Sequence, residues 1–270
     1  MQPGSPLFFA AIAASRLGKR IAAVTRISES EEYLLEPLKT AGIDLFVQPG
    51  ETYLSHIVFP TANVDQRQVF FIKVGEPFVI SDIPPFEPCL LHLCCLGLQE
   101  FQLDLMRALI ARGFHLSVDM QSFMLQADKE TGAVQLKDVP GKKEIVNMAD
   151  FVKLDAIEAQ ILTGAEVLQD QADMLAEWGS SETIITSSEG ALARSEGKST
   201  FAKFTNRSTP GRMGRGDSFM GSYLARRLDH SLEDSLRFAA ALTSIKLESP
   251  GPFRGSLDDV IERMNDPFPG

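Results

Sequence analysis

The residues best suited to chemistry lie in the segment 209–219, which reads TPGRMGRGDSF. Its three glycines let the backbone turn tightly and bring N–H groups close to a ligand. An apolar, helix-like run follows, and a helix start adds free N–H groups and the positive end of the helix dipole. This combination suits an anion, most often a phosphate. Because a phosphate would repel the carboxylate of Asp217, we interpret Asp217 as either a helix cap or a catalytic base.

Three other polar groups of residues are candidates for ligand contact. Asp155 and Glu158 begin a predicted helix, where acids usually complement the helix dipole. The turn 186–190, TSSEG, follows a predicted strand, and α/β folds bind ligands at the carboxyl ends of parallel strands. Asp119 and Gln121 also follow a strand. They either serve the substrate, or phosphate and metal organisation, or merely begin a loop.

Two familiar nucleotide motifs do not match. Residues 197–199, GKS, look like the end of a Walker A motif, but Leu192 occupies the position of its first glycine. The glycines of the 209–219 segment do not form G-x-G-x-x-G, and they come late in the chain. The absence of an early glycine fingerprint argues against a dehydrogenase-like dinucleotide binder.

Composition narrows the class of protein. The chain has 270 residues, of which 44% are hydrophobic, so a sizeable core is expected. Its formal net charge of -10 argues against nucleic acid or an anionic membrane surface as partner. Cys89, Cys94 and Cys95 lie in an apolar run that we interpret as a buried, reduced strand without a disulfide framework. No run has the length of a membrane span and no signal peptide is evident, so a cytoplasmic protein is expected.

The elements that position the candidate residues alternate between strands and helices, which predicts a mostly parallel sheet covered on both faces. Ser5 is the expected cap of a first, fully buried helix, with Pro6 at its first position and Gly18 after its end. Residues 126–143 read as a loop with a short strand at 134–136. The other predicted strands are 21–25, 43–47, 89–96, 115–118, 151–153, 183–186, 191–194 and 199–204, and the predicted helices are 6–17, 30–41, 100–112, 155–162, 170–178, 218–228, 232–244 and 257–265.

Residues 50–80 interrupt this alternation. Segments 52–59 and 68–73 are β-rich, and the polar turn 61–65 lies between them, which predicts a hairpin. Such a hairpin could be a lid, a dimer contact or simply an edge. No linker divides the chain, so a single domain over residues 1–270 is expected.

The order and spacing of these segments resemble the PfkB (ribokinase-like) carbohydrate kinase family over most of the chain. The matching segments are Gly4-Ser5-Pro6 with the helix after it, Asp155–Glu158 for the N-x-x-E motif, the turn 186–190, Gly214–Asp217 for the G-A-G-D signature, and residues 239–246 with 249–252 for the late helix and loop. The resemblance implies a three-layer α/β/α ribokinase-like fold with a mostly parallel central sheet, in which the 50–80 hairpin is a small β lid.

The activity that this resemblance implies is ATP-dependent phosphorylation of a hydroxyl on a sugar, nucleoside or cyclitol. Phosphoryl transfer needs positioning, charge neutralisation and a base for the attacking hydroxyl. The implied roles are Asp217 as base; Gly214, Arg215 and Gly216 as anion hole; Asp155 and Glu158 for Mg²⁺; Thr186, Ser188, Gly190, Gly251 and Lys246 for ATP; and Gly4, Ser5, Asp119 and Gln121 for the substrate. A homodimer formed through the lid is a further expectation.

The chain departs from the family pattern in several places. The family's first strand should precede Gly4, which suggests a truncated or misannotated start. The changes at Ser5, Asp155 and Arg215, and Gly211-Arg212 in place of D-T, put the identity of the substrate in doubt more than the chemistry. Arg215 could reach a substrate phosphate or carboxylate, or point to solvent. A rival hypothesis is a non-catalytic protein that binds sugar or nucleotide on the same scaffold.

Overall fold

The computed structural model of the chain describes residues 4–58, 68–96, 102–128 and 130–265. The chain divides into two compact units. The terminal unit comprises residues 1–23, 34–45 and 182–270, and the central unit comprises residues 24–33 and 46–181. Within the described residues, no helix combines the length and the apolar character that a membrane crossing requires.

The helices and strands of both units follow in chain order. The helices are α1 (Pro6–Ser15), α2 (Glu36–Thr40), α3 (Leu103–Ala111), α4 (Gln121–Met124), α5 (Lys142–Met148), α6 (Ala156–Thr163), α7 (Leu168–Glu177), α8 (Arg215–Arg227), α9 (Leu232–Leu247) and α10 (Leu257–Asn265). The strands are β1 (Ala22–Ile27), β2 (Asp44–Pro49), β3 (Leu54–Val58), β4 (Gln68–Lys73), β5 (Leu90–Leu93), β6 (His115–Asp119), β7 (Leu125–Ala127), β8 (Val134–Leu136), β9 (Phe151–Asp155), β10 (Glu182–Thr186), β11 (Gly190–Ser195) and β12 (Lys198–Lys203).

Helices α1, α8, α9 and α10 belong to the terminal unit, together with the short α2. Helix α1 begins as predicted, because the Ser5 hydroxyl accepts the N–H of Phe8 at 3.2 Å and Pro6 occupies the first turn. It packs along α8, and a Cβ added at Gly221 would lie only 2.2 Å from the carbonyl oxygen of Ala10. The lack of a side chain at Gly221 therefore permits the close approach of these two helices.

The strands β10, β11 and β12 form an antiparallel ladder in the terminal unit. Ile184 pairs with Ala193, and Ala193 pairs with Thr200. All five residues of β10 are buried, among them Glu182. The Glu182 carboxylate accepts hydrogen bonds from the buried Tyr223 hydroxyl and from the Arg227 guanidinium, both on α8. This polar network joins the ladder to the helix that carries Asp217.

The strands β5, β6 and β9 are parallel and lie in the central unit. Leu93 pairs with Val118, and Val118 pairs with Val152. Four of the five residues of β6 and three of the five residues of β9 are buried, which agrees with parallel strands that are covered on both faces. Because the strands run in the same direction, their carboxyl ends lie at one edge, which we call the carboxyl edge of the central unit.

Two antiparallel hairpins lie in the central unit. The predicted hairpin is formed by β3 and β4, in which Ile57 pairs with Val69, whereas its turn at 61–65 lies outside the described residues. In the second hairpin β7 pairs with β8, and β8 is the short strand predicted at 134–136, whereas β7 was not predicted. The N–H of Phe71 donates to the carbonyl of Gly132 at 3.0 Å, so the two hairpins contact each other.

Several predicted elements differ from the structure. The predicted helix at 30–41 is a 3₁₀ helix over Glu29–Leu35 followed by the short α2, because Pro37 lacks an N–H and excludes a continuous α-helix through the preceding turn. The predicted cysteine strand ends at Leu93, where the pairing with β6 ends, and the N–H of Cys95 donates to the Ser122 hydroxyl instead. Within the described residues the three cysteines form no disulfide, and Cys89 is exposed rather than buried as predicted.

Candidate active site

A buried ionic cluster lies at the carboxyl edge of the central unit. The Nζ atom of Lys153 lies 2.9 Å from Oδ2 of Asp119 and 4.0 Å from Oε2 of Glu158. The three side chains are only 2 to 5% exposed. The cluster brings together predicted residues from two elements, Asp119 at the end of β6 and Glu158 on α6. The predicted residue Gln121 is adjacent, since its N–H donates to Oδ1 of Asp119 at 3.1 Å.

Asp155 and Glu158 form the N-terminal cap of α6. The Oδ1 atom of Asp155 accepts the N–H groups of Ile157 and Glu158, and Oε2 of Glu158 accepts the N–H of Asp155 at 2.7 Å. Two of the first-turn donors and the cap N–H are thus satisfied by a capping box. Both acids thus act as cap residues of α6, and the capping box holds the Glu158 carboxylate 4.0 Å from the ammonium group of Lys153.

The burial of Glu158 changes its acidity. Removal from water, opposed by the charge of Lys153 and assisted by the charges of Asp155 and Asp119, raises the pKa of the Glu158 carboxyl to about 8. A divalent cation beside this carboxylate would favour its charged form.

His92 on β5 also lies in this cluster. Its Nδ1 atom is 2.9 Å from the Ser117 hydroxyl, while its Nε2 atom is buried and has no hydrogen-bond partner among the described residues. Burial lowers the pKa of the imidazole to about 4, opposed by the charge of Asp119, so His92 is neutral near pH 7.

The buried cluster around Lys153, which we call the central cluster, suits a magnesium ion that is also bound by a phosphate. Mg²⁺ prefers oxygen, and it commonly uses one or two carboxylates together with waters and substrate phosphates. Glu158 offers such a carboxylate, and the acids of the cluster outnumber its single lysine. Among the described residues no group of three His, Cys, Asp or Glu side chains could form a complete metal cage. The cluster therefore suits a shared ion rather than an all-protein site.

The glycine loop, residues 209–217, leads into α8 in the terminal unit. The residue before the helix is Gly214, in a left-handed conformation with φ +75°, so Asp217 lies in the first turn and is not the cap residue. Residues of a first turn have no carbonyl four positions earlier inside the helix, which leaves their N–H groups pointing outward. The N–H of Arg215 donates to the carbonyl of Arg212 at 3.2 Å.

The start of α1 shapes this loop. A Cβ added at Gly214 would lie 2.2 Å from the ring of Phe9, so both the conformation and the space at this position require glycine. Gly4 is close as well, since a Cβ there would lie 3.7 Å from the sulfur of Met213. The predicted substrate residues Gly4 and Ser5 are thus next to the glycine loop, and the Ser5 hydroxyl is engaged as the cap of α1.

Lys246 lies under the glycine loop. It is 2% exposed, and its ammonium group donates to the main-chain carbonyls of Gly211 and Met213. We predicted a nucleotide contact for Lys246, but its ammonium group is directed at the loop itself.

The remaining predicted nucleotide residues lie in the same unit. In the turn after β10, Thr186 and Gly190 are buried, and Ser188 is exposed. A Cβ at Gly190 would lie 2.2 Å from the carbonyl of Ala202, so this glycine is required by the strand pairing. Gly251 follows α9 with φ +91°.

Sequence reasoning missed two members of the central cluster, Lys153 and His92. A signal for Lys153 was available, because a lysine in the middle of the apolar strand FVKLD needs a buried partner. For His92 no such signal exists, since a histidine between leucines is compatible with an ordinary core position.

Known proteins resemble this chain in sequence and in fold. The model of the pfkB family carbohydrate kinases matches residues 10–258. A pyrophosphate-dependent kinase of the ribokinase family, solved as a sulfate complex, is similar at a TM-score of 0.86 and 27% identity, over 94% of this chain and 89% of that chain. A structure of a pyrophosphate-dependent kinase in the ribokinase family with a pyrophosphate analog and myo-inositol gives 0.84 and 27%, over the same shares.

A fructokinase from Vibrio cholerae O395, bound to fructose, ADP and calcium, has a TM-score of 0.75 at 18% identity, over 96% of this chain and 90% of that chain. At that identity the likeness speaks to the fold alone. A comparison with curated protein sequences gave no match.

The chain belongs to the pfkB family of carbohydrate kinases. Its fold is the ribokinase-like α/β/α fold with a mostly parallel sheet, as the sequence predicts. It is an enzyme of the carbohydrate kinase class, as the sequence predicts.

Proposed function

We propose that this kinase transfers the terminal phosphoryl group of a phosphoanhydride donor to a hydroxyl of a sugar, nucleoside or cyclitol. The observation that carries this proposal is the position of Asp217 in the first turn of α8, directly after a glycine loop that Gly214 shapes. A carboxylate beside outward-pointing N–H groups can accept a proton close to a bound phosphate.

In this reaction Asp217 accepts the proton of the acceptor hydroxyl as its oxygen attacks the terminal phosphorus. A new phosphorus–oxygen bond forms, and the bond from phosphorus to the bridging oxygen of the donor breaks. The N–H groups of Gly214 and Gly216 stabilise the charge on the transferred group. We assign a smaller part to the N–H of Arg215, because it already donates to Arg212.

The central cluster would hold the metal in this proposal. Glu158 supplies a carboxylate oxygen, directly or through water, and Asp155 keeps that carboxylate in place through the capping box. Bound Mg²⁺ would supply charge neutralisation of the kind that phosphoryl transfer needs. Lys153 holds Asp119 and leaves the metal role to the remaining carboxylate.

The donor is proposed in two forms. ATP is the donor that the sequence resemblance implies. Pyrophosphate is the second candidate, because pyrophosphate-dependent kinases match 94% of this chain at 27% identity. Both donors end in the same phosphoanhydride, so one anion hole can serve either. A lid role for β3 and β4, a homodimer formed through them, and a cytoplasmic location also remain proposals.

The test is a panel of sugars, nucleosides and inositols, each incubated with Mg²⁺ and either ATP or pyrophosphate. Mass spectrometry then detects a product 80 Da heavier, the mass of one added phosphoryl group, and the Asp217→Asn variant serves as the control. Turnover with one donor names the donor, and the phosphorylated acceptor names the substrate class. No product with any pair, from a folded protein, would refute the proposed function.

A further inference from the structure

The position of Lys246 suggests a role that is different from contact with a nucleotide. Its ammonium group is buried and donates to two carbonyl oxygens, those of Gly211 and Met213, which both belong to the glycine loop. The same group lies 5.1 Å from the centre of the Phe9 ring, a distance at which a cation is attracted by the aromatic face. A buried ammonium is costly without such partners, so this arrangement is specific.

The loop is also fixed to the end of α9 through its main chain. The N–H of Gly211 donates to the carbonyl of Leu247 at 2.8 Å, and a Cβ at Gly211 would lie 2.0 Å from the carbonyl of Ser249. The loop segment that Lys246 contacts thus also packs, main chain against main chain, on the end of α9, the helix that carries Lys246.

The peptide geometry links Lys246 to the proposed anion hole. The carbonyl of Met213 and the N–H of Gly214 belong to one peptide group, and the described peptide bonds are all trans. In a trans peptide these two groups point in opposite directions. Since the Met213 carbonyl points at Lys246, the N–H of Gly214 points away from Lys246.

We propose that Lys246 is a positioning residue for phosphoryl transfer, whose ammonium group holds the carbonyls of Gly211 and Met213 and thereby aims the N–H of Gly214 at the transferred phosphate. The proposal rests on the proposed function of the glycine loop. In this role Lys246 is an internal cation that fixes the orientation of the peptide groups in a glycine-rich, otherwise flexible segment. An anion hole requires donors with such a fixed orientation.

The electrostatics of Lys246 support this role. Burial lowers the pKa of its ammonium group to about 8, opposed by the negative charge of Asp217 and assisted by the positive charge of Arg215, both on α8. Lys246 is thus mostly protonated at pH 7. As the pH rises above 8 its positive charge is lost, and the attraction for a phosphate at the loop decreases.

The deciding experiment compares Lys246→Met and Lys246→Ala. Methionine fills the same space without charge or donors, whereas alanine leaves a cavity lined by the two carbonyls. We expect kcat to fall about 100-fold in both, the loss typical of a missing anion-hole donor, while KM for the acceptor changes little. Ammonium or methylammonium chloride should raise the kcat of Lys246→Ala at least tenfold and should leave the kcat of Lys246→Met unchanged. Choline chloride at equal ionic strength is the salt control, and Lys198→Met, at an exposed position of β12, is the matched variant.

A second readout separates this proposal from the proposed function. Hydrogen exchange of the peptide 209–217 should be faster in Lys246→Met than in the wild type, whether or not the wild type transfers phosphate. Absent turnover in the wild type would refute the proposed function only. A Lys246→Met protein with wild-type kcat, unchanged exchange in the loop, or equal rescue of both variants would overturn the role of Lys246. If neither variant folds with or without ammonium, Lys246 is a folding residue and the proposal is wrong.

Discussion

The Nζ atom of Lys153 lies 2.9 Å from Oδ2 of Asp119, and both side chains are almost completely withdrawn from water. Burying two charges is costly, and the attraction between them offsets that cost only while both are present. Glu158 lies 4.0 Å from the same ammonium, so the lysine links acids from two different elements. This pair therefore organises the carboxyl edge of the central unit.

Lys153→Met should destabilise the protein, because it leaves the buried carboxylate of Asp119 without a cation. We expect a loss of about 3 to 5 kcal/mol in the free energy of unfolding, measured by urea denaturation. The double variant Lys153→Met with Asp119→Asn should recover part of this loss, since it also removes a stranded charge. An unchanged denaturation midpoint in the single variant would show that the pair does not hold this edge.

Asp217→Asn should lower kcat by about 100- to 10,000-fold, the usual contribution of a general base. The amide keeps the size of the side chain but cannot accept the proton, so donor binding measured by calorimetry should stay within a few-fold of the wild type. Asp229→Asn, at an exposed position paired with Lys19, is the matched control. Equal kcat values for Asp217→Asn and wild type would remove Asp217 from the role of base.

Gly221→Ala should have the opposite pattern, with lower stability and a nearly normal kcat in the molecules that remain folded. The added Cβ would lie 2.2 Å from the Ala10 carbonyl, so α1 and α8 would have to separate. Overpacking of this kind costs about 1 to 3 kcal/mol. Gly4→Ala, whose Cβ would make an ordinary contact at 3.7 Å, is the stability control. Thermal unfolding of both variants decides the matter, and equal melting temperatures would contradict the prediction.

His92 should make the protein less stable as the medium becomes acidic. Its pKa is lowered from 6.5 to about 4 by burial. Between these values the unfolded chain binds a proton on this imidazole that the folded chain does not, so the free energy of unfolding falls as the pH drops from 6.5 to 4. The contribution is at most about 3 kcal/mol. The free energy of unfolding of the wild type, His92→Gln and His56→Gln is measured by denaturation at pH 7, 5.5 and 4.5. The fall with decreasing pH should be smaller in His92→Gln, whereas His56→Gln, at an exposed position, should behave like the wild type. The same pH dependence in all three proteins would refute the assignment.

Elements with strong local signals were predicted closely from the sequence. Helix α10 has the predicted bounds, and α6 begins at the predicted acids because Asp155 and Glu158 satisfy each other's backbone donors without help from distant residues. The antiparallel pairing of β3 with β4 follows in the same way from β-rich segments.

Elements that depend on distant partners were not predicted. Strand β7 was missed for another reason: its partner β8 is close in sequence, but β7 has no apolar pattern of its own. Helix α5 packs against α3, which is distant in sequence. The same reasoning explains the site. Asp217 is recognisable beside its glycines, but the cation under the loop comes from α9, and only folding brings Lys246 to the carbonyl of Met213.

The contact between the two hairpins has a consequence for how this chain tolerates insertions. Phe70 forms a bridge with Ala133, and Phe71 donates to Gly132, so β4 and the β7–β8 hairpin share one edge. A residue inserted into either partner would shift the register on that edge and turn the side chains of β4 to the opposite face. Related kinases whose length varies in β4 or in the β7–β8 hairpin should therefore change both segments together. If the β3–β4 hairpin alone were grafted onto another scaffold, the edge of β4 that contacts Gly132 and Ala133 would be uncovered.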